Sequence, residues 1–208
     1  MRAATIQRII SIMALVLVMM AGHSLGQGRN AGAFEFEERS SNYTAKIVIR
    51  TRAFVRSQHT LTFADKDYLR RKQISPAKGV SILTKIDGRA PLGTDGTIPQ
   101  IEIASMTVSF NGAKIVVPRS LYADCYNPNL QKDTFATKLN DAGDSLLIFM
   151  AGSDAAGSYQ VMCILRNDGH HSRFVNDCSD CDYSGVLDFF RSNDPPRGIS
   201  AWSGLAGE

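Results

Sequence analysis

The stretch IEIASMTVSFNGAKIVVP (101–118) determines the fold class of this chain. Two runs of apolar and β-branched residues flank Asn111 and Gly112, and both of these residues accept the positive φ that a two-residue type I′ hairpin turn requires. The pattern predicts one strand over about 101–110 and a second over about 113–117. The centre of the chain is therefore expected to be an antiparallel hairpin.

Alternating apolar and polar residues recur on both sides of this hairpin. Period two indicates strands with one face toward a core. Runs with this pattern, or with continuous apolar residues, are 45–55, 59–63, 80–86, 145–150, 158–166 and 170–175. Polar loops separate the runs, with a helical turn expected near 68–71 and a short helix after Pro118. The sequence predicts a mostly β fold, an antiparallel β-sandwich or partly open barrel of about seven or eight strands with one or two short helices.

A glycine-rich stretch, IDGRAPLGTDGTIPQ (86–100), precedes the hairpin. Such stretches cradle phosphates when a helix N-terminus follows them, as in the motif G-x-x-x-x-G-K-[ST]. That motif is absent from this sequence, and a predicted strand follows the glycines. The stretch is therefore interpreted as a turn-rich connection, and no cofactor is expected.

The N-terminal residues are typical of an export signal. Two arginines precede the uncharged apolar run 9–21, and the small residues Ser24 and Gly26 lie just before an expected cut at Gln27. The apolar run is shorter than the roughly 20 residues that cross a bilayer. We therefore expect a periplasmic or secreted protein whose mature chain does not insert into the membrane.

Length and charge favour one domain after this signal. Residues 1–26 are interpreted as the signal peptide, residues 27–192 as a single β-rich domain, and residues 193–208, which lack periodicity, as a loose C-terminal tail. The signal contains two arginines and no acidic residue, so its removal lowers the formal net charge from +3 to +1. Basic residues concentrate in 46–72 and acidic residues in 176–194. Solvated strand faces and turns are the favoured interpretation, and the alternatives are that the two regions face each other or that the basic one meets an anionic polymer of the cell envelope. A formal net charge of only +1 does not favour nucleic acid as a partner.

The cysteines are expected to pair as two disulfides in an exported protein. They are Cys125, Cys163, Cys178 and Cys181. Three connectivities are possible. A local Cys178–Cys181 ring with a Cys125–Cys163 bridge is favoured, and crossed pairing is the alternative. The aspartates around CSDC (178–181) disfavour the thiolate that a redox motif needs.

The expected mature chain has three histidines, His59, His170 and His171. The last two are adjacent, so on a strand their side chains point to opposite faces and cannot easily share a metal with the cysteines. No metal site is therefore expected. The nucleophile motif G-x-S-x-G is also absent. An envelope-directed hydrolase that uses one of these histidines is kept as the alternative function.

The segment AGSDAAGSYQV (151–161) joins two predicted meander strands through about seven residues, where two would suffice. Extra loop length on a rigid β scaffold is a frequent location of binding residues. The candidate binding residues are Ser153, Asp154, Gly157, Ser158 and Tyr159. Tyr159 is either an exposed anchor of the kind found at binding hot spots or a core residue at the end of a long turn.

Two resemblances bear on the function. The residues GSY (157–159) resemble the Ser-Gly-x-Tyr-type loop of the periplasmic inhibitors of invertebrate-type lysozyme, with Ala156 where that family has serine. This resemblance implies a small exported β-sandwich that inserts a polar loop into the lysozyme cleft. The stretches 91–128 and 151–169 are similar to uncharacterised exported bacterial β-proteins. We expect an exported, non-enzymatic binding protein of the bacterial envelope or exterior, with a protein or glycan partner and with lysozyme inhibition as its narrowest form.

Overall fold

A computed structural model describes residues 31–39, 42–131, 133–153 and 157–177. The predicted signal peptide and C-terminal tail lie outside these ranges. Most of the ordered elements in the described chain are strands, which confirms the mostly β class. No helix in these ranges is long and apolar enough to span a membrane.

The described residues form ten strands, one α-helix and two 3₁₀ turns. The strands are β1 (Ala33–Arg39), β2 (Thr44–Ala53), β3 (Leu61–Phe63), β4 (Leu83–Ile86), β5 (Ile101–Phe110), β6 (Ala113–Val116), β7 (Phe135–Leu139), β8 (Ser145–Gly152), β9 (Tyr159–Arg166) and β10 (His171–Asp177). Helix α1 spans Lys66–Lys72, and the 3₁₀ turns span Arg56–Gln58 and Arg119–Leu121.

The strands form three antiparallel sheets. Two four-stranded sheets have the orders β1-β2-β5-β6 and β10-β9-β8-β7, and β3 pairs with β4 in a small sheet of its own. Neither four-stranded sheet closes on itself within the described residues. The fold is therefore sandwich-like, and the predicted meander is confirmed as β8, β9 and β10, preceded by β7.

The two four-stranded sheets share one hydrophobic core. Ile47 and Ile49 of β2 belong to the same buried cluster as Ile148 of β8 and Val161 of β9. Burial of each such side chain contributes about 1.5–3 kcal/mol relative to exposure. Lys46, which alternates with these β2 residues, is exposed, so the period-two pattern has the expected wet face.

The central hairpin has the predicted form. Asn111 and Gly112 have φ values of 46° and 84°, which a type I′ turn requires. The backbone N–H of Thr44 donates to Asn111 Oδ1 at 2.8 Å, so the turn also contacts the neighbouring strand. The hairpin therefore fixes β5 and β6 in register on one side and reaches β2 on the other.

The chain leaves the first sheet between β2 and β5 and returns to the same place. The backbone N–H of Phe54 donates to the carbonyl of Gln100 at 2.8 Å, which closes the ends of this segment, residues 54–100. We name it the β2–β5 excursion. It contains β3, α1, β4 and the glycine-rich connection, and Leu83 and Ile86 form a small cluster of their own with Tyr126.

Several predicted boundaries differ from the structure. β3 begins at Leu61 and β4 at Leu83, later than the predicted starts at 59 and 80. The predicted turn near 68–71 is the longer helix α1, because Asp65 accepts the N–H of Tyr68 and caps it. β1 and β7 were not predicted at all.

Candidate functional site

Three loops meet at the end of the sandwich where β8 ends and where β5 and β9 begin. A bridge between Pro128 and Gly152 joins two of them. The described residues of these loops, named here the loop platform, are 93–97, 126–128, 152–153 and 157–158. The loop that was predicted to bind a partner is one of the three.

Backbone conformations in the loop platform are unusual. Asp95, Asn127 and Ser153 have φ values of 49°, 46° and 62°, although none of them is glycine. Such conformations cost free energy and persist only when the surroundings hold them, which is why they concentrate at functional sites. The platform contains three of the six non-glycine residues with positive φ in the described part of the chain, and this clustering makes it a candidate site.

Asn127 ties the loops together from a buried position with 6 % exposure. Its Oδ1 accepts the backbone N–H groups of Gln100 at 3.0 Å and Ile101 at 3.1 Å, and its Nδ2 donates to the carbonyl of Gly93 at 2.7 Å. Its own carbonyl accepts the N–H of Ser153 at 3.2 Å. One residue thus links the start of β5 to both neighbouring loops.

Tyr159 lies under the platform and is 1 % exposed. A Cβ at Gly152 would overlap its ring, and a Cβ at Gly93 would lie 2.7 Å from its Cε1. Both glycines are therefore needed for the ring to fit. Of the two alternatives for Tyr159, the structure has the core residue, and the expectation of an exposed anchor is corrected because the tyrosine is enclosed on both sides.

Three of the other four predicted binding residues belong to the platform. Ser153, Gly157 and Ser158 are half-buried, and Asp154 lies outside the described residues. A Cβ at Gly157 would lie 2.6 Å from the backbone nitrogen of Asp95, so the two loops are packed closely together. The candidate site therefore includes the glycine-rich connection as well as the loop that the sequence predicted to bind a partner.

The connection contributes exposed groups that sequence reasoning missed. Asp95 and Thr97 are exposed, and Ile98 is 38 % exposed. A partner approaching this end of the sandwich meets a carboxylate, hydroxyl groups and one apolar side chain. The sequence signal was the glycine pair around Thr94 and Asp95, which was interpreted only as a turn.

A second polar cluster adjoins the platform at the start of β5. The side chain of His59 is 6 % exposed and stacks on Phe54, with ring centroids 4.5 Å apart. Its Nδ1 lies 2.7 Å from Asp87 Oδ2 in a hydrogen bond. Its Nε2 lies 3.1 Å from the buried carboxylate of Glu102, and that contact lacks hydrogen-bond geometry. Arg52 binds the other oxygen of Glu102, so the cluster attaches the β2–β5 excursion to the first sheet.

The arrangement around His59 favours attachment over catalysis. A general base needs a ring nitrogen within hydrogen-bond reach of the substrate, and both nitrogens of His59 face carboxylates beneath Phe54. Burial and the carboxylates of Asp87 and Glu102 raise the pKa of the Tyr126 hydroxyl well above its usual range, so this neighbour stays protonated. Of the two ring nitrogens of His59, Nδ1 is hydrogen-bonded to Asp87, and Nε2 is buried without a hydrogen-bond partner among the described residues.

Asp87 makes this attachment sensitive to acid. Partial burial tends to raise the pKa of its carboxyl, but hydrogen bonds from His59 and from the N–H of Thr60 outweigh burial and lower it. A lowered pKa stabilises the fold above the ordinary aspartate pKa, about 3.9, and that stabilisation disappears as the pH falls through the folded pKa. We expect Asp87→Asn to be less stable than the wild type at neutral pH and equal to it in strong acid. Urea unfolding between neutral pH and about pH 2 measures this difference, and a constant difference over that range would contradict the expectation.

The other histidines lie away from this cluster. His170 and His171 are exposed beside the turn that joins β9 to β10, at the opposite end of the sandwich from Tyr159. In the described part of the chain, no three histidine, cysteine or acidic side chains are placed to hold a metal ion. The predicted hydrolase alternative thus has only His59 near the loop platform.

The two described cysteines, Cys125 and Cys163, are buried free thiols. Burial raises the pKa of Cys163 to about 12 and that of Cys125 well above its usual range. The predicted disulfides are therefore not formed among the described residues. Cys178 and Cys181 lie outside them, and the pairing stays a prediction.

Comparison with family models, curated proteins and solved structures gives no match for this chain.

Proposed function

We propose that this chain is an exported, non-enzymatic binding protein of the bacterial envelope or exterior that receives a protein or glycan on the loop platform. The observation that carries the proposal is the set of three loops with positive φ at Asp95, Asn127 and Ser153, held from below by one buried amide. Loops fixed in advance lose little conformational entropy on binding. The export signal in the first 26 residues supports the location outside the cytoplasm.

The chemistry of the platform favours a partner rich in hydrogen-bond donors. Asp95 is exposed and carries a negative charge, and Ser153 and Ser158 add hydroxyl groups at the rim. Gly157 packs closely against the backbone of Asp95, which brings the loop that contains the serines up to the loop that contains this carboxylate. Sugar hydroxyls and the amide or basic groups of a protein loop are donors of this kind.

Lysozyme inhibition is the narrowest form of the proposal. The resemblance of residues 157–159 to the inhibitors of invertebrate-type lysozyme supports it, with Asp154 and Ser158 as contacts in the same loop. Since Tyr159 is in the core, the inserted part of the loop would consist of small residues, with Ser153, Asp154 and Ser158 as its polar side chains. Invertebrate-type, chicken-type and goose-type lysozymes are therefore suitable defined partners for a first test.

The proposal predicts that platform variants lose binding and keep stability. We expect Asp95→Asn with Ser153→Asn to weaken partner binding about tenfold or more, because both positions face the partner and asparagine tolerates positive φ. Asp95 is exposed and Ser153 is half-buried, and neither lies in the core, so we expect the pair of changes to alter stability by less than about 1 kcal/mol. Binding of the mature protein to the three lysozymes and to purified peptidoglycan, measured by calorimetry, gives the affinities.

The matched control is Asp141→Asn, an exposed aspartate in the turn between β7 and β8 at the opposite end of the sandwich. It should bind like the wild type. Equal loss in the control and the platform variant would reject the platform as the site. Release of peptidoglycan fragments by the wild type, abolished by His59→Gln in a folded variant, would instead favour the hydrolase alternative.

A further inference from the structure

Two thiols lie together beneath one side chain of the second sheet. Arg173 of β10 is opposite Cys163 of β9 in the strand register, so both side chains project to the same face. Nη2 of Arg173 donates to Cys125 Sγ at 3.5 Å. The Cys163 thiol donates to the carbonyl of Leu121 at 3.8 Å, four residues before Cys125. The two sulfur atoms therefore share one small region of the core.

An ion pair covers this region. The guanidinium of Arg173 contacts both carboxylate oxygens of Asp124, at 2.8 and 2.9 Å, in the bidentate arrangement that makes such pairs strong. The two side chains are 16 % and 15 % exposed, so the pair is mostly enclosed. Nε of Arg173 is buried and has no acceptor among the described residues.

We propose that Cys125 and Cys163 form one redox site, which closes to a disulfide as the exported chain folds, and that the Arg173–Asp124 pair then shields this bond from exchange. In the closing reaction each thiol loses its proton and a sulfur–sulfur bond forms. The two electrons reduce the disulfide of a thiol–disulfide exchange partner to two thiols. The free thiols of the structure are the reduced form of the site.

The shielding follows from burial and charge. Exchange requires a thiolate to reach one sulfur of the bond, and Cys125 is 1 % and Cys163 3 % exposed. A reductant can therefore act only when Arg173 and Asp124 separate. The proposal depends on the expected export, and it is independent of binding at the loop platform.

Connectivity is tested with the full chain carrying Cys178→Ser and Cys181→Ser, refolded with glutathione disulfide. We expect the protein to be two hydrogens lighter before reduction than after it, with the peptides of Cys125 and Cys163 joined in the non-reduced digest. Two free thiols after refolding would overturn the proposal. So would a wild-type digest in which either cysteine is joined to Cys178 or Cys181.

Shielding is tested by the rate at which dithiothreitol reduces this bond. We expect Arg173→Met to be reduced about tenfold faster or more, because a charge-assisted hydrogen bond no longer closes the region. Arg166→Met, which removes an exposed arginine at the far end of β9, should be reduced at the wild-type rate. If Arg173→Met does not fold, Asp124→Asn gives the same readout with the guanidinium retained. Wild-type rates in both Arg173→Met and Asp124→Asn would show that the pair does not shield the bond.

Discussion

Replacing Asn127 with Ala is expected to lower the free energy of unfolding by about 3–5 kcal/mol. Its side chain satisfies the N–H groups of Gln100 and Ile101 and the carbonyl of Gly93. Each backbone group left without a partner costs at least about 1 kcal/mol, and the lower end applies because the Gln100 bond is only partly buried, so the three groups together cost about 3 kcal/mol. Alanine at a φ of 46° adds about 1–2 kcal/mol of backbone strain. Urea unfolding should show a lower midpoint with little change in slope.

Two further substitutions separate these causes. Asn127→Gly removes the side chain without the strain, so it should be more stable than Asn127→Ala by about 1 kcal/mol and still far below the wild type. Asn127→Asp keeps an acceptor for Gln100 and Ile101 but places a carboxylate oxygen against the carbonyl of Gly93. If Asn127→Gly were as stable as the wild type, the amide would not be what holds the loops.

Replacing Tyr159 with Ala is expected to cost about 3–5 kcal/mol of folding free energy, the range for removing a buried aromatic ring. The ring is 1 % exposed and lies between Gly93 and Gly152, which have no side chains to fill the space it leaves. The cavity would form directly beneath the loop platform. Thermal and urea unfolding measure the loss, and binding measured below the variant's melting temperature shows whether the platform survives.

Tyr159→Phe is the control for this change. It retains the ring and should retain most of the stability lost in Tyr159→Ala. A Tyr159→Ala protein with wild-type stability and abolished binding would mean that the ring is an exposed anchor, the alternative that the structure does not have.

The sequence predicts those parts of the fold that depend only on residues close together in the chain. The turn at Asn111 and Gly112 needs only the φ preference of two residues and the runs beside them. β1 has an equally regular alternation, Phe34 and Phe36 between glutamates, but glutamate is unfavourable in strands. It is offset there by contacts such as Glu35 with Lys46 of β2, at 2.7 Å. That compensation is a property of the strand pair and cannot be read from β1 alone.

The candidate site was predicted only in part, because some of its contacts join residues that are distant in the chain. The loop length after β8 indicated a binding segment, and Ser153, Gly157 and Ser158 do lie on the platform. Asn127 gave no signal, because its partners in the glycine-rich connection and at the start of β5 are about thirty residues away in the chain. The position of Tyr159 likewise depends on a distant glycine, so sequence could only leave two alternatives.

The closed ends of the β2–β5 excursion make it an exchangeable module. The hydrogen bond between Phe54 and Gln100 holds the two ends of the excursion together. The distance that the excursion must span at the first sheet therefore does not depend on its length. The entropy of closing such a loop rises by only about 0.6 kcal/mol for each doubling of its length. A graft of different length is therefore tolerated if it brings apolar contacts of its own and retains Gly93, which contacts Tyr159 and accepts the Asn127 amide. Since residues 94–97 belong to the excursion, such a graft would change the surface offered to a partner while Gly93 kept its contacts with Tyr159 and Asn127.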